Sequence, residues 1–370
     1  MAVAAARGGR SGVGWRFLIL IPAVLALLAG LNAGLQLLGL AAPLTAERLP
    51  QVHGMLLTLG FVGTVIALER AVALGSRAAY GAPALLAAGG LLLISPAPLL
   101  VGKAFLVAGA VGLVLVYVPL WRRQRDHAVL VSALGAVLAV GASVLWLGDL
   151  PVNLLLPWLV GFVVLTIAGE RLELARVMIP PSGETTLVIG SSAVMVGAVA
   201  SILWPHAGVA GFGASLVVLL IVLVRYDVAR RTVRAKGLAR YMAACMLAAY
   251  AWLAVAGLVW LVWGPAYEGP RYDAIIHAIF LGFTFSMIMA HAPVILPAVT
   301  RLALPYRPVL WVPVAALQVA LVVRIAIGDA LGVTAAWRIG GVAGIVAVLL
   351  FFATVAMSMV HAAVTKRSAS

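Results

Sequence analysis

The sequence predicts an all-α integral membrane protein, with twelve transmembrane helices in three pseudo-symmetric four-helix repeats and both termini cytoplasmic. Three observations predict it. Hydrophobic residues make up 65% of the 370 and charged residues only 10%, so lipid is the main solvent. The apolar runs reach the ~20 residues that a spanning helix needs. One pattern also recurs three times: Gly60-Phe61, Gly161-Phe162 and Gly282-Phe283 are each followed, nine positions after the glycine, by Glu69, Glu170 and His291.

The spans follow in order. The first, 17–42, comes after Arg7, Arg10 and Arg16; about 25 apolar residues is too long for a cleaved signal segment, so it reads as a retained span. Next come 50–70, 78–97, 99–121 and 127–148. The sixth, 151–171, ends with Glu170-Arg171, and Pro180-Pro181-Ser182-Gly183 separates it from 185–204. The remaining spans are 209–226, 239–264, 272–298, 307–329 and 335–361. Barrel strands would alternate in polarity over about ten residues, and these runs do not. Helices also satisfy their own backbone hydrogen bonds in hydrocarbon.

Charge placement agrees with twelve. The amino terminus and the loops after even-numbered spans collect twenty basic residues, including Arg77, Arg122, Arg123, Arg125 and Arg176. The opposite side has four, Arg48, Lys103, Arg271 and Arg338, with Arg324 inside span 11. This asymmetry puts the basic side in the cytoplasm. The net charge of +14 is then a topogenic signal that also attracts anionic headgroups, and no nucleic-acid motif accompanies it. The single Cys245 excludes an internal disulfide and cysteine-based metal motifs, and reads as a packing residue. Trp15, Trp121, Trp204, Trp263 and Trp337 read as interfacial anchors. No loop exceeds about a dozen residues, so 1–370 reads as a single transmembrane domain with approximate repeats at 17–121, 127–226 and 239–361. The glycines of the repeat lie 101 and 121 residues apart.

Six histidines remain, and an ionisable side chain inside a span is expensive enough to ask for a function. His53 and His277 lie near the starts of spans 2 and 10, which run in the same direction, so they share a depth in the outer leaflet. His53 is seven residues before Gly60 and His277 five before Gly282. That offset is about 3 Å along a helix, which two ligands of one large planar cofactor can absorb. Two neutral imidazoles facing each other suit the axial positions of a haem iron. Arg324, Lys103, Arg48 and Arg271, all near that depth, are candidates to pair haem carboxylates. The plainer readings are a hydrogen bond or proton site for the histidines and snorkelling for the cations.

His291 follows His277 by fourteen residues, placing it within about 40° on the same helix face and about 21 Å deeper. If spans 2, 6 and 10 line the centre, His291, Glu69 and Glu170 converge on the inner side, where they could coordinate a second metal ion or pass protons. The plainer reading makes Glu69-Arg70 and Glu170-Arg171 ordinary helix-end charges. His127, His206 and His361 fall in loops or at span ends and read as solvated or interfacial.

Twelve spans in three arcs with histidines on spans 2 and 10 resembles the main subunit of haem–copper oxidases, whose low-spin haem is held by histidines on those helices. Val52-His53-Gly54-Met55 is similar to that family's span 2 motif. Asp273-x-x-x-His277-Ala278 and Met289-Ala290-His291-Ala292-Pro293 look more like the NnrS-type proteins, twelve-span haem- and copper-containing membrane proteins tied to nitric oxide metabolism. Two departures limit what the resemblance implies. The stretch Ile275-Ile276-His277-Ala278-Ile279 lacks the second histidine that oxidases use for a high-spin haem, and spans 6 and 7 lack the copper-ligating histidines. The low-spin haem b alone is what the resemblance still implies.

The expectation is therefore a haem-b-binding multi-pass protein of the cell membrane, in electron transfer, redox sensing or nitric oxide handling. Its partners would be the bilayer and a redox protein or quinol. The alternative is a proton-coupled secondary transporter or permease using Glu69, Glu170 and His291, although no paired unwound motif occurs in corresponding positions. A non-catalytic assembly or metal-handling factor is a third reading.

Overall fold

The computed structural model describes residues 14–175 and 179–368. Arg7, Arg10 and Arg176 of the charge tally lie outside the described residues. The described chain is helical almost throughout. It runs through α1 (Gly14–Leu37), α2 (Arg48–Leu74), α3 (Ala78–Ile94), α4 (Leu99–Gln124) and α5 (His127–Leu147). It continues through α6 (Leu156–Ala175), α7 (Pro181–Leu203), α8 (Pro205–Tyr226), α9 (Gly237–Trp263), α10 (Gly269–Thr300) and α11 (Pro308–Asp329), and ends with α12 (Thr334–Ser368).

Among the described residues ten of these helices are long and apolar enough to cross a membrane, and the chain is a multi-pass membrane protein. The other two are α3, apolar but shorter, and α6, whose last turns carry Glu170, Arg171 and Glu173. The bundle is built the way lipid requires. Leu115 and Val196, 62% and 67% exposed, face outward, whereas Ser143, Ser191 and Thr64 are buried. Those three hydroxyls bond carbonyls three or four residues back in their own helices.

Several boundaries differ from expectation: the first helix ends at Leu37 rather than 42, the second at Leu74 rather than 70, and the eighth starts at Pro205 rather than 209. The sixth helix starts at Leu156 rather than 151, because Pro151–Leu155 turn tightly, with Leu154 and Leu155 N–H donating to Pro151 and Val152 carbonyls at 3.1 Å. The seventh starts at Pro181, where proline's missing N–H costs nothing in a first helical turn. Neighbouring helices pair as hairpins, α3 with α4, α5 with α6 and α7 with α8. Close approach relies on absent side chains: a Cβ on Gly60 of α2 would lie 3.3 Å from the Gly90 Cα of α3.

Three π-helical stretches interrupt the helices: Leu56–Gly63 in α2, Ala278–Phe285 in α10 and Val322–Asp329 in α11. Gly60 and Gly282 occupy the same fifth position of their stretches, so the first and third copies of the repeated motif share a local backbone form. The second copy, Gly161-Phe162, lies in uninterrupted α-helix. Such widened turns free backbone groups, and Thr284 Oγ1 donates to the Ile279 carbonyl five residues back at 3.0 Å. They concentrate at functional sites. Phe61 stacks on Phe285 of α10 at 6.0 Å between centroids and meets Phe352 of α12 edge-on at 6.1 Å, which ties α2, α10 and α12 together below the histidines.

Candidate cofactor site

His53 stands about one and a half turns into α2, just before its π stretch. The ring rests on a small-residue face of α1: Nδ1 lies 2.8 Å from the Gly30 carbonyl oxygen, and a Cβ on Gly34 would come 3.7 Å from Cε1. A carbonyl only accepts, so Nδ1 carries the proton and Nε2 presents a lone pair. His277 is the last residue of α10 before its own π stretch. Its Nδ1 lies 2.8 Å from the Asp273 carbonyl oxygen and 3.3 Å from Asp273 Oδ2, which fixes the same tautomer. Neither Nε2 has a hydrogen-bond partner among the described residues. His277 and Arg324 are both electrostatic neighbours of His53, so the bundle brings these three residues into one neighbourhood.

Arg324, in the π stretch of α11, does not present its guanidinium to a distant carboxylate. Its Nε and Nη2 each donate to Asp273 at 2.8 Å, to Oδ2 and Oδ1 respectively, and the planar group lies over the Trp337 ring at 5.1 Å. The pair is possible because α12 offers no side chain there: a Cβ on Gly340 would be 2.6 Å from the Arg324 amide nitrogen. Asp329, at the end of the same π stretch, sits against Asp273, and its Oδ2 is buried without a partner. Asp273 has no role in the sequence pattern taken alone. The available signal was its i−4 spacing to His277 and the need of a charge in span 11 for a counter-charge.

Two of the other three candidate cations are also committed. Lys103 Nζ donates to the Trp146 carbonyl at 2.8 Å and to Asp149 Oδ1 at 2.5 Å. Arg48 Nη1 donates to the Ser95 and Ala97 carbonyls at 2.5 and 2.8 Å, closing the end of α3. Arg271 is exposed and is the one of the four without a protein partner among the described residues. Each imidazole of the pair thus has the tautomer that a metal ligand needs, with Nε2 left unpartnered among the described residues, and Arg271 is the candidate cation that no protein group engages there.

At the end of the bundle away from His53 the two glutamates do meet, at an arginine. Arg70 Nη2 lies 2.6 Å from Glu69 Oε1 and 3.6 Å from Glu170 Oε1, and Nη1 lies 3.7 Å from Glu173 Oε2. His291 turns elsewhere. Its Nδ1 donates to the Met287 carbonyl at 2.6 Å, and its buried Nε2 has no partner beside Arg171. Arg171 Nη1 reaches Met246 Sδ at 3.4 Å. No group of three His, Cys, Asp or Glu side chains among the described residues could hold a metal ion. Arg70 stands between the two glutamates and His291 bonds elsewhere, so the three do not form a ligand set and no step is assigned to a metal at Glu69, Glu170 and His291. Of the remaining histidines, His127 pairs with Glu184 at 3.1 Å on the surface, and His206 and His361 are exposed.

Residues 16–360 match the model of a family described as Domain of unknown function (DUF8744). The match spans nearly the whole chain, so the chain belongs to this family. No curated protein matches it.

Proposed function

We propose that this member of the DUF8744 family is a twelve-span membrane protein of three related four-helix units, with both termini cytoplasmic, that holds a haem b between His53 and His277. In this reading α3 and α6 also cross the bilayer, and Arg271 neutralises a haem carboxylate. One observation carries the proposal: both imidazoles, on helices with the same π-helical interruption, have Nδ1 tied to a backbone carbonyl and Nε2 unpartnered. Metal-ligating histidines are oriented in this way, because the fixed N–H sets the tautomer and aims the lone pair. Gly30 and Asp273 supply the carbonyls, and Arg324 holds Asp273. A haem iron with two imidazole ligands exchanges single electrons, which favours electron transfer or redox sensing. The NnrS-like residues of α10 are the support for nitric oxide handling.

The test is a reduced-minus-oxidised absorption spectrum of the protein purified from haem-replete cells, with haem content measured chemically. Sharp reduced-haem bands that vanish in His277→Ala support the reading; a haem-free, folded protein refutes it. A second reading, a proton-coupled transporter, is favoured by the partly buried Glu69 and Glu170 gathered at Arg70. Proton-coupled uptake abolished by Glu170→Gln, in a protein that carries no haem, would replace the first reading with the second.

A further inference from the structure

An open groove of about 610 Å³ lies at the end of the bundle away from His53, where the spans of α10 and α12 finish at Thr300 and Thr365. It is lined by Pro297 of α10, by Leu304, Pro305 and Arg307 of the connection that follows, and by His361 and Thr365 of α12. The volume is in the range of small-molecule sites.

The groove is cationic, and the chain around it has no acid to balance it. Between Asp273 and Asp329, and from Asp329 to the last residue, the sequence contains no Asp or Glu. Arg307 is partly buried, yet its guanidinium has no hydrogen bond or ion pair among the described residues. A cation drawn part of the way out of water without a partner favours an anion from outside the chain. His361, exposed and likewise without a side-chain partner among the described residues, adds a ring N–H. The backbone that carries Arg307 is extended, with φ −134° and ψ 140°, the form that the residue before a proline prefers.

The groove also continues into lipid-facing surface. Val294 lies one turn before Pro297 and Met357 one turn before His361, each on the same helix face as the lining residue. Both are exposed, at 53% and 62%, on helices that span the membrane. Beyond the two cations the groove therefore runs on into apolar surface that hydrocarbon covers. A ligand that matches both parts has an anionic head and apolar chains.

We infer that this groove holds one anionic phospholipid, its phosphate on Arg307 and His361 and its acyl chains along Val294 and Met357. The forked N–H groups of a guanidinium match phosphate oxygens in geometry as well as in charge. The site needs neither His53 nor His277, so it stands or falls apart from the haem.

The experiment is native mass spectrometry of the delipidated, detergent-purified full chain, titrated with phosphatidylglycerol or with phosphatidylcholine of the same chains. The expected result is one phosphatidylglycerol per chain, bound about tenfold more tightly than phosphatidylcholine, the worth of one charge-assisted hydrogen bond. Arg307→Gln should abolish that preference; it breaks no contact within the described chain, so the fold is retained. Arg123→Gln removes the same charge from another exposed position and should leave the preference intact. Equal affinity for the two lipids, an unchanged preference in Arg307→Gln, or an equal loss in Arg123→Gln overturns the inference. Glycerol 3-phosphate bound as tightly as the lipid also overturns it, because the site would then be one for soluble phosphate.

Discussion

Arg324 grips Asp273 along the full edge of its guanidinium, with both N–H···O distances 2.8 Å, and the backbone carbonyl of that same Asp273 accepts from His277 Nδ1 at 2.8 Å. A contact between α10 and α11 therefore orients the imidazole. The charge that looked, in sequence, like a counter-ion for a ligand is a structural support for the helix that carries the histidine.

Breaking that grip is expected to be costly. Arg324→Gln leaves the Asp273 carboxylate uncompensated beside Asp329, at a cost of about 3–5 kcal/mol for a buried pair deprived of one partner. The double variant Arg324→Met/Asp273→Leu removes both charges and should recover most of the loss. Equilibrium unfolding in mixed micelles checks this, and a single variant as stable as the parent would refute it.

Haem content should separate the histidines by role. His53→Ala and His277→Ala each should lose the bound haem, whereas His291→Ala, His127→Ala and His206→Ala should keep it. Chemical haem assay of the purified variants is the readout. Equal retention in all five would leave no axial role for the pair.

The close approach of α12 to α11 should tolerate no bulk. Gly340→Leu sets its Cβ 2.6 Å from the Arg324 nitrogen and 2.8 Å from the Ala320 carbonyl oxygen. Because backbone atoms cannot rotate away, the helices must part, an overpacking cost of about 1–3 kcal/mol or more. Loss of stability together with altered accessibility of Trp337 to a fluorescence quencher is expected. A variant unchanged in both would show that the interface slides freely.

At the end of the bundle away from His53, Arg70 should matter more than any one of its acids. Arg70→Met strands Glu69 and Glu170 together at the end of the bundle, which should cost about 3 kcal/mol. Glu173→Gln removes a partner that is 47% exposed and should cost under about 1 kcal/mol. Unfolding midpoints of the two variants give the comparison, and the reverse order would mean that Arg70 is not the hub.

Much of the architecture could be read along the chain. Long apolar runs identified the helices, whereas Pro180-Pro181 read as a separator before a span at 185 although α7 starts at Pro181, and the Gly-Phe pattern marked three helices of which two share a π stretch. The widening itself left no trace in hydropathy, since an i→i+5 turn uses the same apolar residues as an α-turn. Polar partners were harder to see. Lys103 with Asp149 and Arg48 with the end of α3 are separated by more than forty residues, so spacing gave no hint that these cations were already satisfied.

Hydropathy and charge are properties of consecutive residues. For that reason the order of residues alone determined the membrane class, the helical content and the rarity of histidine within the spans. Which groups meet is a property of helix rotation and crossing, set by packing of glycines and rings between segments distant in the chain. Only the tertiary structure could therefore decide that Arg324 holds Asp273, that Arg70 gathers the glutamates away from His291, and that His53 leans on Gly30 with one nitrogen left unpartnered.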